Sequence, residues 1–204
     1  TLVDFDHVKA IHFGSYTTVT QPTADAYLAL AHREPGQRVI TYDPNIRPTV
    51  EPDMAIWRAR FQQFSACANL IKISDEDLAL LFPNSDPHQK AHEWLHQGAQ
   101  LVIITRGSKG VWAYTQTAHV ELAAPRIQVV DTVGAGDTFQ ASVIYALHQR
   151  DALTSAALSQ LTEQDLTAIC QFAITAAAIT CSRRGADLPT LPEIVAFNHL
   201  NGAT

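Results

Sequence analysis

Apolar and polar positions follow two rhythms along this chain. The short runs AIHFG (10–14), RVITYD (38–43), LIKIS (70–74) and LVIITRG (101–107) are apolar at successive positions, as strands buried on both faces require. Between them the spacing turns helical, predicting helices over Pro22–Arg33 and Asp53–Ser65 and two short helical stretches spanning Asp75–Gln97. Strand and helix in alternation build βαβ units around a parallel sheet. From Val111 to Leu122 two alternating runs separated by polar residues predict an antiparallel hairpin. A further strand is predicted over Ile127–Val130, then a helix over Gly134–His148 and an Ala-rich helix over Thr162–Thr180, closed by Gly185 and Pro189. With no repeat or linker, the pattern gives one domain over 1–204: three α/β/α layers, a mostly parallel central sheet and a β-hairpin at one edge.

Composition narrows the partner. The 204 residues are 47% hydrophobic and 17% charged, enough for a full core without disulfides. A net charge of -6 with 14 scattered Lys and Arg argues against a nucleic acid or an anionic membrane, leaving a small molecule. Cys67, Cys170 and Cys181 form no CxxC pair, which suits a reducing compartment. The start, TLVDFDHVKAIHF, has no leader pattern. The longest apolar stretch, Ile169–Cys181, carries Gln171, Thr175 and Thr180 and is too short to span a bilayer. The expected location is the cytoplasm.

The chemistry concentrates in Val129–Phe139, a run that turns through Gly134, Ala135 and Gly136 into a helix. The start of a helix carries partial positive charge and N–H groups without intrahelical partners, so such a turn can seat a phosphate or a developing oxyanion. Asp137 follows in the first turn, beside that anion. Asp is also common there because it complements the helix dipole, so GAGD alone is a weak signal. Other segments are equally open to two readings. Thr105, Gly107, Ser108 and Gly110 form a strand-end loop that serves either a ligand or a tight turn. Asp43-Pro44-Asn45-x-Arg47 follows a strand end where doubly wound sheets collect ligands; Arg47 can grip a carboxylate or phosphate, or be tied to a neighbouring acid. Ser74 reads as the cap of a helix whose first turn holds Asp75, Glu76 and Asp77. His92-Glu93-Trp94-Leu95-His96 matches the HExxH zinc-peptidase pattern, but no third ligand follows and His88 extends the same polar face. Trp57, Trp94 and Trp112 read as packing.

Six blocks in order then carry a resemblance. DTVGAGDTF resembles the carboxy-terminal signature of the ribokinase (PfkB) family of carbohydrate kinases. HFGSYT (12–17), YDPNIRP (42–48) followed by Trp57, KISDEDL (72–78), TRGSKG (105–110) and SRRGADLP (182–189) are similar to further blocks of that family, in its fructokinase branch. The resemblance implies a ribokinase-like fold and ATP-dependent phosphorylation of a sugar primary hydroxyl. Fructose is the first choice, with 2-keto-3-deoxygluconate and ribose or a nucleoside as alternatives. Asp137 would be the base, with the amides of Gly134, Ala135 and Gly136 stabilising charge. Thr105, Gly107, Ser108 and Gly110 would face ATP, with Arg106 and Lys109 either near its phosphates or solvated; Asn45 and Arg47 would face the sugar. Magnesium is implied near Asp77 and Ser74, where the family pattern Asn-x-x-Glu is shortened here to Ser-x-x-Asp, so that contact through water is expected. Asp131 and Thr132 would border a monovalent cation, usually potassium. The resemblance starts mid-family: the sugar-recognition and lid region has no equivalent, so the lid is expected to be missing and this segment alone weakly active or inactive; similar kinases often pair through that lid, so a homodimer through it stays open. A non-catalytic ATP-binding fragment is the reading from a different class.

Overall fold

A computed structural model of the chain describes residues 7–34 and 36–200, with side chains through 198. Residues 1–6, on which the leader reading partly rests, and the ends of the 1–204 span lie outside the described residues. Four parallel strands, β1 (Ala10–Gly14), β2 (Val39–Asp43), β3 (Leu70–Ser74) and β4 (Leu101–Thr105), lie in chain order. An antiparallel hairpin of β5 (Val111–Tyr114) and β6 (His119–Leu122) extends the sheet at the β4 edge. The order β1-β2-β3-β4-β5-β6 follows from successive crossovers of one hand, each placing the next strand beside the last.

Because side chains alternate across a strand, each strand feeds two cores. Ile40 and Tyr42, Ile71 and Ile73, Val102 and Ile104 face one layer, packed against Trp57, Phe61, Phe64 and Trp94. These aromatics come from α2 (Met54–Ser65) and α4 (Pro87–His96), and α1 (Thr23–Arg33) and α3 (Asp75–Leu81) complete that layer. Val39, Leu70, Leu101 and Ile103 face the other layer, with Phe139 and Val143 of α5 (Ala135–His148) and Ile169 and Cys170 of α7 (Glu163–Cys181). Caps fix where these helices start. Asp53 and Asp86 accept first-turn N–H groups, and Thr162 with Asp165 forms a reciprocal capping box.

The predicted strand over Ile127–Val130 is not a strand: residues 123–130 run without ladder pairing. β6 pairs β5 and offers this segment no register. Instead the N–H groups of Val130 and Asp131 donate to the carbonyl of Cys181 at 2.8 and 3.2 Å. Val129 and Val130 are each 58% exposed, so apolar residues here carry no burial signal. The pattern also missed a 3-10 turn over Ser15–Thr18, the short helix α6 (Ser155–Ser159) and α8 (Leu191–Leu200).

Candidate active site

The glycine turn is built twice over. Gly134 caps α5 with φ of +79°, in the left-handed region that favours glycine. A Cβ there would also stand 2.8 Å from the Cβ of Ala186, so the turn lies directly against the segment SRRGADLP. Asp131 ties the two together: its carboxylate accepts the N–H of Val133 at 3.0 Å and of Gly185 at 2.9 Å. Those bonds, Val133 first, hold its pKa below the usual carboxylate range.

Inside the turn the donors differ from the expected set. The N–H of Ala135 donates to the carbonyl of Thr132 at 3.2 Å and so serves the turn rather than a ligand. The N–H groups of Gly134, Gly136 and Asp137 have no backbone acceptor among the described residues. The N–H groups left free at this turn are therefore those of Gly134, Gly136 and Asp137, and the amide of Asp137 lies outside the set expected from the sequence. Gly136 and Asp137 are exposed. The carboxylate stands open beside the free amides, not folded into a core.

Three further blocks converge on this turn from the carboxyl ends of the parallel strands. His12 on β1 bonds the hydroxyl of Thr41 through Nδ1 at 2.8 Å. Asp43, the last residue of β2, and Lys72 on β3 form an ion pair at 2.7 Å, each with a side chain 5% exposed. The Nζ of Lys72 lies 3.3 Å from where a Cβ on Gly136 would be. His12 is held below its usual pKa, first by loss of solvent around its packed edge even though part of the residue stays exposed. Lys72 adds to that shift while Asp43 and Asp137 oppose it, so the three charges act on one ring. Sequence reasoning quoted His12, Asp43 and Lys72 inside their blocks but gave them no role.

Magnesium can be tested on the same ground. Ser74 accepts the N–H of Asp77 at 3.0 Å and is the cap of α3, as the cap reading expected. Asp77 accepts the N–H of Ile46 at 3.3 Å. Burial first, and then the charge of Asp43, push the Asp77 carboxyl up to about 6, and Oδ1 of Asp43 is buried without a partner. Two acids in one solvent-poor corner, one oxygen unsatisfied, fit a divalent cation arriving on a phosphate. Among the described residues no three His, Cys, Asp or Glu side chains could hold a metal by themselves.

At the segments expected to face the sugar, Ser15 and Asn45 adopt positive φ of 58° and 40°, and the hydroxyl of Ser15 donates to the carbonyl of Asn45 at 3.3 Å. Non-glycine residues held in that region cluster at ligand clamps. Arg47 is exposed and donates to the carbonyl of Ile46 at 2.9 Å; no carboxylate claims it among the described residues, against the reading of a tied arginine. The loop after β4 is mixed. Gly110 has φ of +97°, and a Cβ there would meet the carbonyl oxygen of Leu122 at 1.8 Å, so this glycine serves the hairpin. A Cβ on Gly107, φ +53°, would meet nothing within 4 Å, so glycine there answers the backbone conformation, and the loop beside Thr105 and Ser108 is open. Arg106 is held by the hairpin rather than solvated: it bonds Glu121 at 2.7 Å and lies 3.8 Å over the Trp112 ring.

HExxH forms no zinc site. Glu93 bonds Lys90 at 2.7 Å, and Nδ1 of His96 donates to the carbonyl of His92 at 2.6 Å. Trp57 and Trp94 are core residues. The described surface also has a groove of about 440 Å³ lined by Tyr145, Gln149 and Phe172, and one of about 260 Å³ lined by Thr138, Phe172 and Pro189. Neither includes Asp137.

A mostly parallel α/β sheet with a glycine turn opening a helix beside its strand ends belongs to the doubly wound class, in which ligands gather at the carboxyl ends of the strands. Residues 3–194 match the family model described as pfkB family carbohydrate kinase, and the chain belongs to that family. It is 40% identical over 161 residues to a fructokinase of Rhizobium leguminosarum bv. trifolii, an alignment covering 79% of this chain and 49% of that protein. The fold superposes on a fructokinase of Xylella fastidiosa with bound ATP at a TM-score of 0.86 and 25% identity, covering 95% of this chain and 62% of that one. An aminoimidazole riboside kinase of Salmonella enterica gives 0.76 and 25%, with 92% and 62% covered. The chain spans about half the length of the curated relatives it matches: 49% of the Rhizobium fructokinase and 49% of a probable chloroplastic fructokinase of Arabidopsis thaliana.

Proposed function

We propose that the protein, as its gene encodes it, transfers the γ-phosphoryl group of ATP to the primary hydroxyl of a sugar, with fructose the first candidate. The observation that carries the reading is the open carboxylate of Asp137 beside the unpartnered amides of Gly134, Gly136 and Asp137. Asp137 takes the hydroxyl proton as the sugar oxygen attacks phosphorus in line, and the amides hold the charge that builds on the phosphoryl oxygens. ATP lies along Thr105, Gly107 and Ser108. Magnesium, through water, would be held beside Asp77 and would neutralise the phosphates. The sugar is placed near Asn45 and Arg47, and a monovalent cation beside Asp131 and Thr132. The unpaired state of Cys67, Cys170 and Cys181 supports a reducing cytoplasm.

Fructose is supported by the 40% identical relative, and a riboside by the Salmonella neighbour. A coupled assay over fructose, ribose, a nucleoside and 2-keto-3-deoxygluconate decides between them. Asp137→Asn is expected to keep MgATP binding and to lose on the order of 10²–10⁴ in kcat. Turnover of no sugar by a protein that still binds MgATP would leave a non-catalytic nucleotide binder.

A further inference from the structure

A lysine that is 4% exposed inside a strand is anomalous, since the other described residues of β3 before its end are Leu70, Ile71 and Ile73. Burying an ammonium and a carboxylate together gains little stability, because the loss of water offsets their attraction. Some other benefit must account for Lys72 and Asp43. Their place shows which. Asp43 and Lys72 follow the paired residues Tyr42 and Ile71 on adjacent parallel strands. Both point to the α5 side of the sheet, the side of Val39 and Leu70. The ammonium ends against Gly136, where a Cβ would stand only 3.3 Å from Nζ. It thus lies at the base of the turn whose amides are free. An ammonium has three donors; its hydrogen-bond partner among the described residues is Oδ2 of Asp43, while Oδ1 of the same carboxylate is buried and unpartnered.

We propose that Lys72 supplies the fixed positive charge at the base of the phosphoryl seat, with Asp43 as the residue that positions it. The inference rests on the kinase reading above. During transfer the sugar oxygen forms a bond to the γ-phosphorus as the bond from that phosphorus to the bridging oxygen breaks. The hydroxyl proton goes to Asp137, and ADP leaves with the bridging electron pair. Lys72 remains protonated throughout; its free donors meet phosphoryl oxygens as charge moves towards the turn. Glycine at 136 keeps that approach open.

The test compares three proteins encoded in full length: unsubstituted, Asp43→Leu/Lys72→Met, and Asp43→Asn. The double variant removes both charges, so it leaves no uncompensated buried ion, and its melting temperature is expected to match or exceed that of the parent. It should bind metal-free ADP, measured in EDTA, within about threefold of the parent and lose at least a hundredfold in kcat, the scale of a lost transition-state donor. Asp43→Asn, nearly isosteric but leaving the ammonium without its counter-charge, is expected to lower the melting temperature, to keep the affinity for metal-free ADP, and to lose about tenfold in kcat as the ammonium loses its anchor. A folded double variant with kcat within threefold of the parent overturns the role of Lys72. If the double variant does not fold, Asp43→Asn decides, and unchanged kcat there overturns the positioning by Asp43. Failure of the parent to bind MgATP or MgADP at all is a different result, which sinks the kinase reading itself.

Discussion

Gly134 meets two separate demands, and they can be measured apart. Its φ of +79° penalises any side chain, by about 1–2 kcal/mol for the left-handed region, and the 2.8 Å approach to Ala186 adds an overlap worth about 1–3 kcal/mol. Gly134→Ala is therefore expected to destabilise by about 3 kcal/mol in urea unfolding. Adding Ala186→Gly should return the overlap part and leave the backbone part; full recovery in the double variant would show that conformation contributes nothing. Asp77 offers a pH test in the metal-free protein. Its carboxyl is raised from 3.8 to about 6, so the folded state favours the protonated form. The associated stability is complete below the unfolded value and is lost as pH rises through about 6. At about 1.4 kcal/mol per unit this amounts to about 3 kcal/mol. Asp77→Asn should flatten urea stability between pH 4 and 7 in EDTA and stabilise the protein at pH 7; a parent profile already flat over that range refutes the assignment.

At the level of elements, α3 and α7 start with the same chemistry and serve different ends. Thr162→Ala removes the capping box of α7 and is expected to cost about 1 kcal/mol, with MgATP affinity unchanged in calorimetry. Ser74→Ala removes the cap of α3 at a similar cost. If the hydroxyl also faces the magnesium, this variant weakens MgATP as well; affinity equal to that of Thr162→Ala makes Ser74 a cap only. The parallel strands, the hairpin and the long helices were legible because each depends on burial of its own periodic face. The 123–130 segment misled because apolar content does not supply a ladder partner, and Val129 and Val130 are exposed. The short helix α6 holds only Ser155–Ser159, less than the spacing rules need. Lys72 was hidden for a related reason: a polar residue inside LIKIS was absorbed into the strand pattern. The usable signal was its type, since lysine is almost never fully buried unless paired.

Across the whole molecule, the blocks could be read one at a time but their meeting could not. His12, Asp43, Lys72, Asp77 and Asp137 come from β1, β2, β3, α3 and α5 in that order, and the strand order β1-β2-β3 brings the groups on the three strands together, with Asp137 acting on His12 and Asp77 on the Asp43 side. The resulting seat faces solvent: Gly136 and Asp137 are exposed, and the two grooves lie elsewhere. An anion seat in contact with bulk water holds phosphate weakly, because the high dielectric screens the amides and the ammonium alike, and water can compete with a sugar hydroxyl for phosphorus. The 204-residue chain by itself is thus expected to bind MgATP and to raise its melting temperature with nucleotide. At a hundredfold excess over Kd the gain is about 2.7 kcal/mol, or roughly 5–10 °C for a chain of this size. Its phosphate release should be slow and nearly indifferent to fructose. Fructose stimulation of ADP formation by a hundredfold or more in this chain would mean that the seat closes around the sugar without further polypeptide, and the screening account would then be wrong.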